Sequence, residues 1–277
     1  MKPENSKESI PVALTIAGSD SGGGAGIQAD LRTFTAFGVH GVCVLTCVTA
    51  QNPSSVRAVQ ACPRTLVQKQ LEAIWEELPP QAAKTGMLWN EGIVETVAAF
   101  WKGLGQDRPP LVVDPVMVAT SGATLARQPA VKAMIRQLLP LATVLTPNLD
   151  EVEVLLGWRP KKPEQLSQAA RELNARFGSA VVIKGGHLET QGQSLDFFFD
   201  GRHELLLTAP RVDGVQTHGT GCAFSAAIAA RLAQGLRVVE AVQWAKRWVT
   251  QAIMKSVRVG KAQALGLFGP VEQHEKK

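Results

Sequence analysis

The sequence predicts an α/β fold with a mostly parallel central sheet, helices on both of its faces and one small β-hairpin. Short apolar runs of strand length alternate with amphipathic runs of helix length from residue 12 to residue 254. Glycine-rich segments sit where strand gives way to helix. The connections are short, which favours βαβ crossovers within one sheet.

In chain order, residues 12–17 (VALTIA) form an apolar run ended by Gly18. The amphipathic stretch after Gly26 closes on Gly38, so the first unit is strand, glycine-rich loop, helix. Residues 42–49 read as a buried strand, and 66–78 as a helix that stops before Pro79-Pro80 because proline disfavours helix in the residue preceding it. Ala82–Thr85 is a short strand, 93–101 a helix, and Leu111–Val113 a strand running into Asp114-Pro115. Helix 131–139, strand 143–145 and helix Leu149–Leu156 follow. Helix 166–177 then leads to strand 180–183, which ends at Lys184-Gly185-Gly186. Residues 195–199 and 204–207 flank Asp200-Gly201, a dipeptide that favours a tight hairpin turn. Helices over 223–233 and 239–254 complete the pattern. No linker, repeat or low-complexity tract divides the chain, so residues 1–277 are expected to form one domain, with residues 1–10 a flexible tail.

The hydrophobic fraction of 45% and charged fraction of 19% are ordinary globular values and exclude a disordered or fibrous chain. A net charge of +5 is spread along the sequence without a basic stripe interleaved with aromatics, which argues against a nucleic-acid partner. A mild positive balance also suits an enzyme whose substrates carry phosphates. Cys43, Cys47, Cys62 and Cys222 form no paired CxxC pattern, so reduced thiols in the cytoplasm are expected. The polar start and the lack of an 18-residue apolar run predict neither export nor a membrane span.

Five segments carry candidate chemistry. The loop from Gly18 to Gly26 follows a strand and opens a helix, so its backbone N–H groups could face an anion or polar ligand, or it could be only a tight turn of small residues. It fits neither a dinucleotide fingerprint, since residues 42–51 hold no acidic partner for a ribose, nor a P-loop, since Gly-Lys-Ser/Thr is missing. In THGTGC, Gly219, Thr220, Gly221 and Cys222 form a second glycine-rich loop before a small-residue helix, a concave anion site at the helix's positive end. Cys222 falls in the first turn, where the helix dipole favours a thiolate able to act as a base; otherwise it is a small buried apolar residue. Asn148 and Glu151 lie at i, i+3 at a helix start, a spacing that suits either a Mg²⁺ held through waters or a capping box. Asp114 and Lys184 each stand at a strand's carboxyl end, where ligand sites gather.

In this order, AGSDSGGGAGIQADLRTF, VTAQN, KTGML, DPVM, LTPNLDE, VIKGGH and THGTGC resemble the hydroxymethylpyrimidine and phosphomethylpyrimidine kinases of thiamin biosynthesis over roughly residues 11–270. The resemblance implies a ribokinase-like three-layer αβα fold, ATP as co-substrate, Mg²⁺ and a homodimer. It implies a pyrimidine held by Gly18, Asp30, Gln51 and Met87. It also implies phosphoryl transfer at the GTGC loop with Cys222 as base, and an ATP and Mg²⁺ side formed by Asp114, Asn148, Glu151 and Lys184. This chain has Ser21 where many relatives carry proline at or near that position, which bears on loop rigidity. Pyridoxal or pyridoxine kinases share every phosphate-side motif and remain the nearest alternative, with Gln51 and Met87 favouring pyrimidine. A non-catalytic sensor of thiamin precursors would need neither GTGC nor the Asn148/Glu151 pair. His187 and His218 stay outside the catalytic set, since a histidine beside an anion loop can equally cap or pack.

Overall fold

A computed structural model describes residues 9–117, 128–186, 188, 192–212 and 218–266 of the protein. Among the described residues, eleven strands and eight α-helices follow one another along the chain. They are β1 (Val12–Asp20), α1 (Gly26–Ala36), β2 (His40–Asn52), β3 (Ser55–Ala61), α2 (Arg64–Glu77), β4 (Ala82–Thr85), α3 (Glu91–Gly103) and β5 (Leu111–Val113). Then come α4 (Gln128–Ala133), β6 (Val144–Leu145), α5 (Leu149–Leu156), α6 (Pro163–Phe177), β7 (Ala180–Lys184), β8 (Gln193–Phe199) and β9 (Glu204–Pro210). The chain continues through α7 (Thr220–Ala233), α8 (Val238–Met254), β10 (Val257–Val259) and β11 (Ala262–Ala264).

The main sheet has nine strands in the order β3-β2-β1-β4-β5-β6-β7-β8-β9. The six central strands run parallel, from β2 through β1, β4, β5 and β6 to β7. Antiparallel strands finish both edges: β3 on β2, and the β8–β9 hairpin on β7. Successive strand residues feed opposite cores, as a period of two requires. Leu14, Ile16, Val113, Leu145 and Ile183 pack into the layer that holds α3, α5 and α6. Ala13, Val112, Val144 and Val182 pack into the layer that holds α7 and α8. The predicted mostly parallel sheet with helices on both faces and one hairpin is therefore present.

Two expectations change and one strand is added. Strand β3, in a stretch the sequence left unassigned, pairs because Asn52 closes the turn before it, its Oδ1 accepting from the N–H groups of Ser54 at 2.9 Å and Ser55 at 3.0 Å. Strand β1 does not end at Gly18 but bulges there and continues to Asp20. Glycine is needed at the bulge because a Cβ would lie 2.7 Å from Cys47 Sγ and 2.9 Å from Met87 Cε. The helix expected over 131–139 begins as α4 and runs through a π-helical turn, Met134–Leu138, into a 3₁₀ turn, Leu139–Leu141, that carries Pro140.

Strand β1 neighbours β2 on one side and β4 on the other, so the strand order reverses between β1 and β4. In open α/β sheets that reversal opens a crevice at the carboxyl ends, the usual place for a ligand. Helix α7 lies over this part of the sheet, packed on β1, β4 and β5 and against α1 and α8. It is buried on nearly all sides, which accounts for its alanine-rich sequence, since bulk would prevent close approach. Among the described residues no helix is long and apolar enough to cross a membrane.

Candidate active site

At the carboxyl end of β1, Asp20 folds the first glycine-rich loop around itself. Its Oδ1 accepts from Gly22 N–H at 2.8 Å, and its Oδ2 from Gly24 and Ala25 N–H at 3.1 and 2.8 Å. The loop's backbone donors, expected to face a bound anion, are thus spent on the protein's own carboxylate. Burial works against ionisation of Asp20, but the His218 hydrogen bond and the Ala25 and Gly22 amides outweigh it and hold the carboxyl below its usual range.

The second glycine-rich loop meets the first. Gly219 adopts φ +81° at the N-cap of α7, and a Cβ there would come within 1.8 Å of the Gly24 carbonyl oxygen. This close approach turns the start of α7 toward Lys184: a Cβ on Gly221 would lie 3.3 Å from its Nζ. Lys184 closes β7 and bonds Asp114 Oδ1 at 2.7 Å, while Thr146 Oγ1 donates to the same oxygen at 3.3 Å. Burial opposes the Lys184 ammonium, but Asp114 and Glu151 beside it hold its proton more tightly than usual.

At the start of α5 the Asn148–Glu151 pair forms a complete capping box: Glu151 N–H donates to Asn148 Oδ1 at 2.9 Å and Asn148 N–H to Glu151 Oε2 at 2.8 Å. The capping alternative is thus realised. The Met117 backbone N–H also bonds the Glu151 carboxylate, so a cation held there would share it with the protein's own N–H groups. Burial pushes the Glu151 carboxyl up to about 7, with Lys184 opposing and Asp114 adding to the rise.

These pieces enclose one cavity of about 490 Å³ whose wall includes Gln51, Asp114, Asn148, Glu151, Lys184 and the run Gly219–Cys222. That volume is in the range of small-molecule and cofactor sites. Five expected side chains and the whole GTGC loop therefore converge. Gly18 and Met87 meet each other beneath the β1–β4 crevice, off that wall.

Asp30 is the clear correction. It lies on the inward face of α1, fully buried, with Oδ1 on Lys84 Nζ at 2.9 Å and Oδ2 accepting from Thr15 Oγ1 at 2.6 Å. Both oxygens are occupied, so it cannot read a ring edge. Burial pushes the Asp30 carboxyl up. Burial also opposes the Lys84 ammonium, but the Asp30 charge outweighs it and holds Lys84 above its usual value, so the contact is an ion pair.

At Cys222 burial works against the thiolate that the first turn of α7 favours and pushes the thiol up to about 11; Lys84 and the Gly26 N–H favour the anion, Asp30 and Asp114 oppose it. His187 lies outside the described residues. His218, in contrast, bonds Asp20 Oδ2 at 3.1 Å and touches Gln51, a placement that no local signal shows because its partners are far away in sequence. The cavity continues past Ser194 and Lys246, whose Nζ bonds Asp196 Oδ2 at 2.8 Å, another buried pair absent from the sequence reading.

A profile of the family described as phosphomethylpyrimidine kinase matches residues 20–266. The hydroxymethylpyrimidine/phosphomethylpyrimidine kinase of Synechococcus elongatus is 47% identical over 263 residues, covering 95% of this chain and 99% of that protein. Among solved structures, the ADP complex of Bacillus subtilis pyridoxal kinase superposes with a TM-score of 0.83 at 37% identity, over 93% of this chain and 97% of that one. The phosphomethylpyrimidine kinase of Clostridium difficile gives 0.76 at 37% identity, over 88% of this chain and 99% of that one.

Proposed function

Since the chain belongs to the phosphomethylpyrimidine kinase family and is a phosphotransferase with a ribokinase-like fold, we propose that it moves the γ-phosphoryl of ATP onto 4-amino-5-hydroxymethyl-2-methylpyrimidine and then onto the monophosphate, in thiamin biosynthesis. One observation carries this: the anion loop Gly219–Cys222 opens onto the same cavity as Gln51 on one side and Lys184, Asp114 and Glu151 on the other. A ring and a nucleotide phosphate chain thereby meet at a helix N-terminus.

On this reading Gln51 hydrogen-bonds the aminopyrimidine edge, and Gly18 with Met87 shapes the apolar floor. Asp30 supports that floor from below instead of touching the ring. The substrate hydroxyl attacks in line, Cys222 accepts its proton, and the N–H groups of residues 219–222 steady charge on the transferring oxygens. Lys184, fixed by Asp114, and Asn148 lie on the ATP side.

No group of three acidic, histidine or cysteine side chains suited to a metal occurs among the described residues. The donor set is nevertheless the one Mg²⁺ uses beside nucleotides, one or two carboxylates with the remaining positions left to waters and phosphates. Glu151 fits as the first carboxylate, and Asp114, already bonded to Lys184, as the second. Held there with ATP, Mg²⁺ would supply charge neutralisation on the phosphate oxygens. All four cysteines are free thiols, which suits a reducing compartment, and we assign the protein to the cytoplasm as a homodimer.

A coupled ADP-release assay with hydroxymethylpyrimidine, its monophosphate and pyridoxal at equal concentrations tests the assignment. Turnover of both pyrimidines with much less on pyridoxal is the expected result. Pyridoxal preference would keep the phosphate side and overturn the ring assignment, a second reading favoured by the similarity to pyridoxal kinase structures. No turnover with any of them would restore the sensor reading.

Gly219→Ala is expected to lower turnover by about 10²-fold or more, since a Cβ cannot fit against the Gly24 carbonyl without displacing the donors of the anion loop. Turnover within threefold of wild type would show that the loop tolerates opening.

Glu151 predicts a pH dependence. Its carboxyl is raised from 4.5 to about 7, so the folded state binds the proton more tightly than the unfolded one. The stability this contributes is present below pH 4.5 and lost as pH rises through about 7, a swing of roughly 3 kcal/mol at most. Glu151→Gln is expected to flatten that part of the metal-free stability profile between pH 5 and 8 and to abolish stimulation by Mg²⁺. Urea unfolding at the two pH values checks the first, and a Mg²⁺ titration of activity the second; an unchanged profile would remove Glu151 from both roles.

A further inference from the structure

We infer that His218 is a positioning residue for ring recognition: it fixes which way the Gln51 carboxamide faces. The inference rests on Gln51 belonging to the pyrimidine subsite proposed above. The His218 ring is clamped, with its side chain 12% exposed and its Nε2 3.1 Å from Asp20 Oδ2. Its Cδ2 edge lies against Gly24, where a Cβ would come within 2.6 Å. Any residue other than glycine at position 24 would push the ring away.

The hydrogen-bonding roles follow in sequence from Asp20. An ionised carboxylate only accepts, so His218 Nε2 carries a hydrogen. Nδ1 is a buried atom without a partner among the described residues. The same Nε2 is 3.4 Å from the Gln51 amide nitrogen, which sets two donors face to face. Meanwhile the Gln51 oxygen is 3.2 Å from Thr49 Oγ1, whose single hydrogen is better placed on the Ser19 carbonyl at 2.8 Å.

A half-turn of the carboxamide, which changes its shape hardly at all, removes both conflicts. Its oxygen then shares the single His218 Nε2 hydrogen with Asp20 Oδ2 in a three-centre bond, 3.1 Å to the carboxylate and 3.4 Å to the carboxamide, and its NH₂ donates to the free lone pairs of Thr49. No donor in the chain Asp20, His218, Gln51, Thr49, Ser19 then faces another donor. One N–H and one lone pair of Gln51 remain for the ring, in a fixed arrangement. Without His218 the carboxamide can present either end, and a ring that needs one donor and one acceptor finds them in the correct places only part of the time.

The test is a double-mutant cycle on the purified enzyme, with KM measured separately for hydroxymethylpyrimidine and for ATP. His218→Ala is expected to raise the pyrimidine KM about tenfold and to change the ATP KM less than about twofold, and the His218→Ala/Gln51→Ala double variant to be no worse than Gln51→Ala alone. His218→Asn, which retains a side-chain donor, is expected to fold with an unchanged melting temperature and to recover to within about threefold of wild type. Independent, multiplying effects of the two substitutions, or an ATP KM that rises in step, would overturn the proposal by assigning His218 to the anion loop alone. A folded His218→Asn protein as impaired as His218→Ala would overturn it as well. If Gln51→Ala leaves the pyrimidine KM unchanged, the ring-subsite reading fails first and takes the role of His218 with it.

Discussion

Lys84→Met is expected to lower the unfolding free energy by roughly 3–5 kcal/mol, because it strands the Asp30 carboxylate, to which no other cation among the described residues is bonded. Lys84 and Asp30 are both fully buried, Lys84 in the centre of the sheet on β4 and Asp30 on the face of α1 that covers it. Removing one partner leaves an uncompensated charge; removing both leaves only shape and one hydroxyl contact to Thr15. The Lys84→Met/Asp30→Asn double variant is therefore expected to recover about half of the loss. Urea midpoints at constant m-value decide it. A double variant that loses as much as the sum of the single ones would show that the two groups are stabilised by their surroundings and not by each other. The pair lies directly under the β1–β4 crevice, so the same variants also test how far the rigidity of that floor carries into ring binding.

The order of the elements was legible because it depends on local period. Apolar runs of two-residue period and glycines at strand ends are properties of the chain itself, and each central strand follows from them. Strand β3 was not legible in the same way. Its residues alternate weakly, and it becomes a strand only because β2 extends to Asn52 and offers an edge. Lys84 did leave a signal that went unread: a lone lysine in AAKT, a segment short and apolar enough to be buried in a parallel sheet, demands a buried counter-charge. Asp30, on the apolar side of α1 between Ala29 and Phe34, was the acid available to answer it. The motifs that line the cavity were visible as residue types at strand ends, yet the partnership of Asp20 and His218 joins positions 198 apart and depends on two loops meeting, which no local pattern encodes. The burial that opposes a thiolate at Cys222 was hidden for a related reason. Helix position favours the anion locally, but burial is set by everything packed around α7, and burial prevails.

Cys222→Ala is expected to reduce turnover of hydroxymethylpyrimidine by roughly 10²–10⁴-fold while the ATP KM stays within about threefold, the loss typical of a proton acceptor that takes no part in nucleotide binding. With its thiol pushed up to about 11, Cys222 is protonated at neutral pH, and only the small thiolate fraction is competent to accept a proton. A base in that condition gains activity tenfold for each pH unit until its own titration, so log kcat of the wild type is expected to climb steadily from pH 7 toward 10. Cys222→Ser, with a hydroxyl that does not titrate in this range, should lose the climb along with most of the rate. The alternative destination for the proton is an oxygen of the transferring phosphoryl group, which a loose transition state permits because the attacking hydroxyl gives up its proton late. A flat wild-type profile from pH 7 to 10, shared by an active Cys222→Ser enzyme, would send the proton there and leave Cys222 as a packing residue. A rising profile that vanishes with the sulfur would fix it as the base, working against its own burial, with Lys84 and the Gly26 N–H as the groups that make its anion accessible at all.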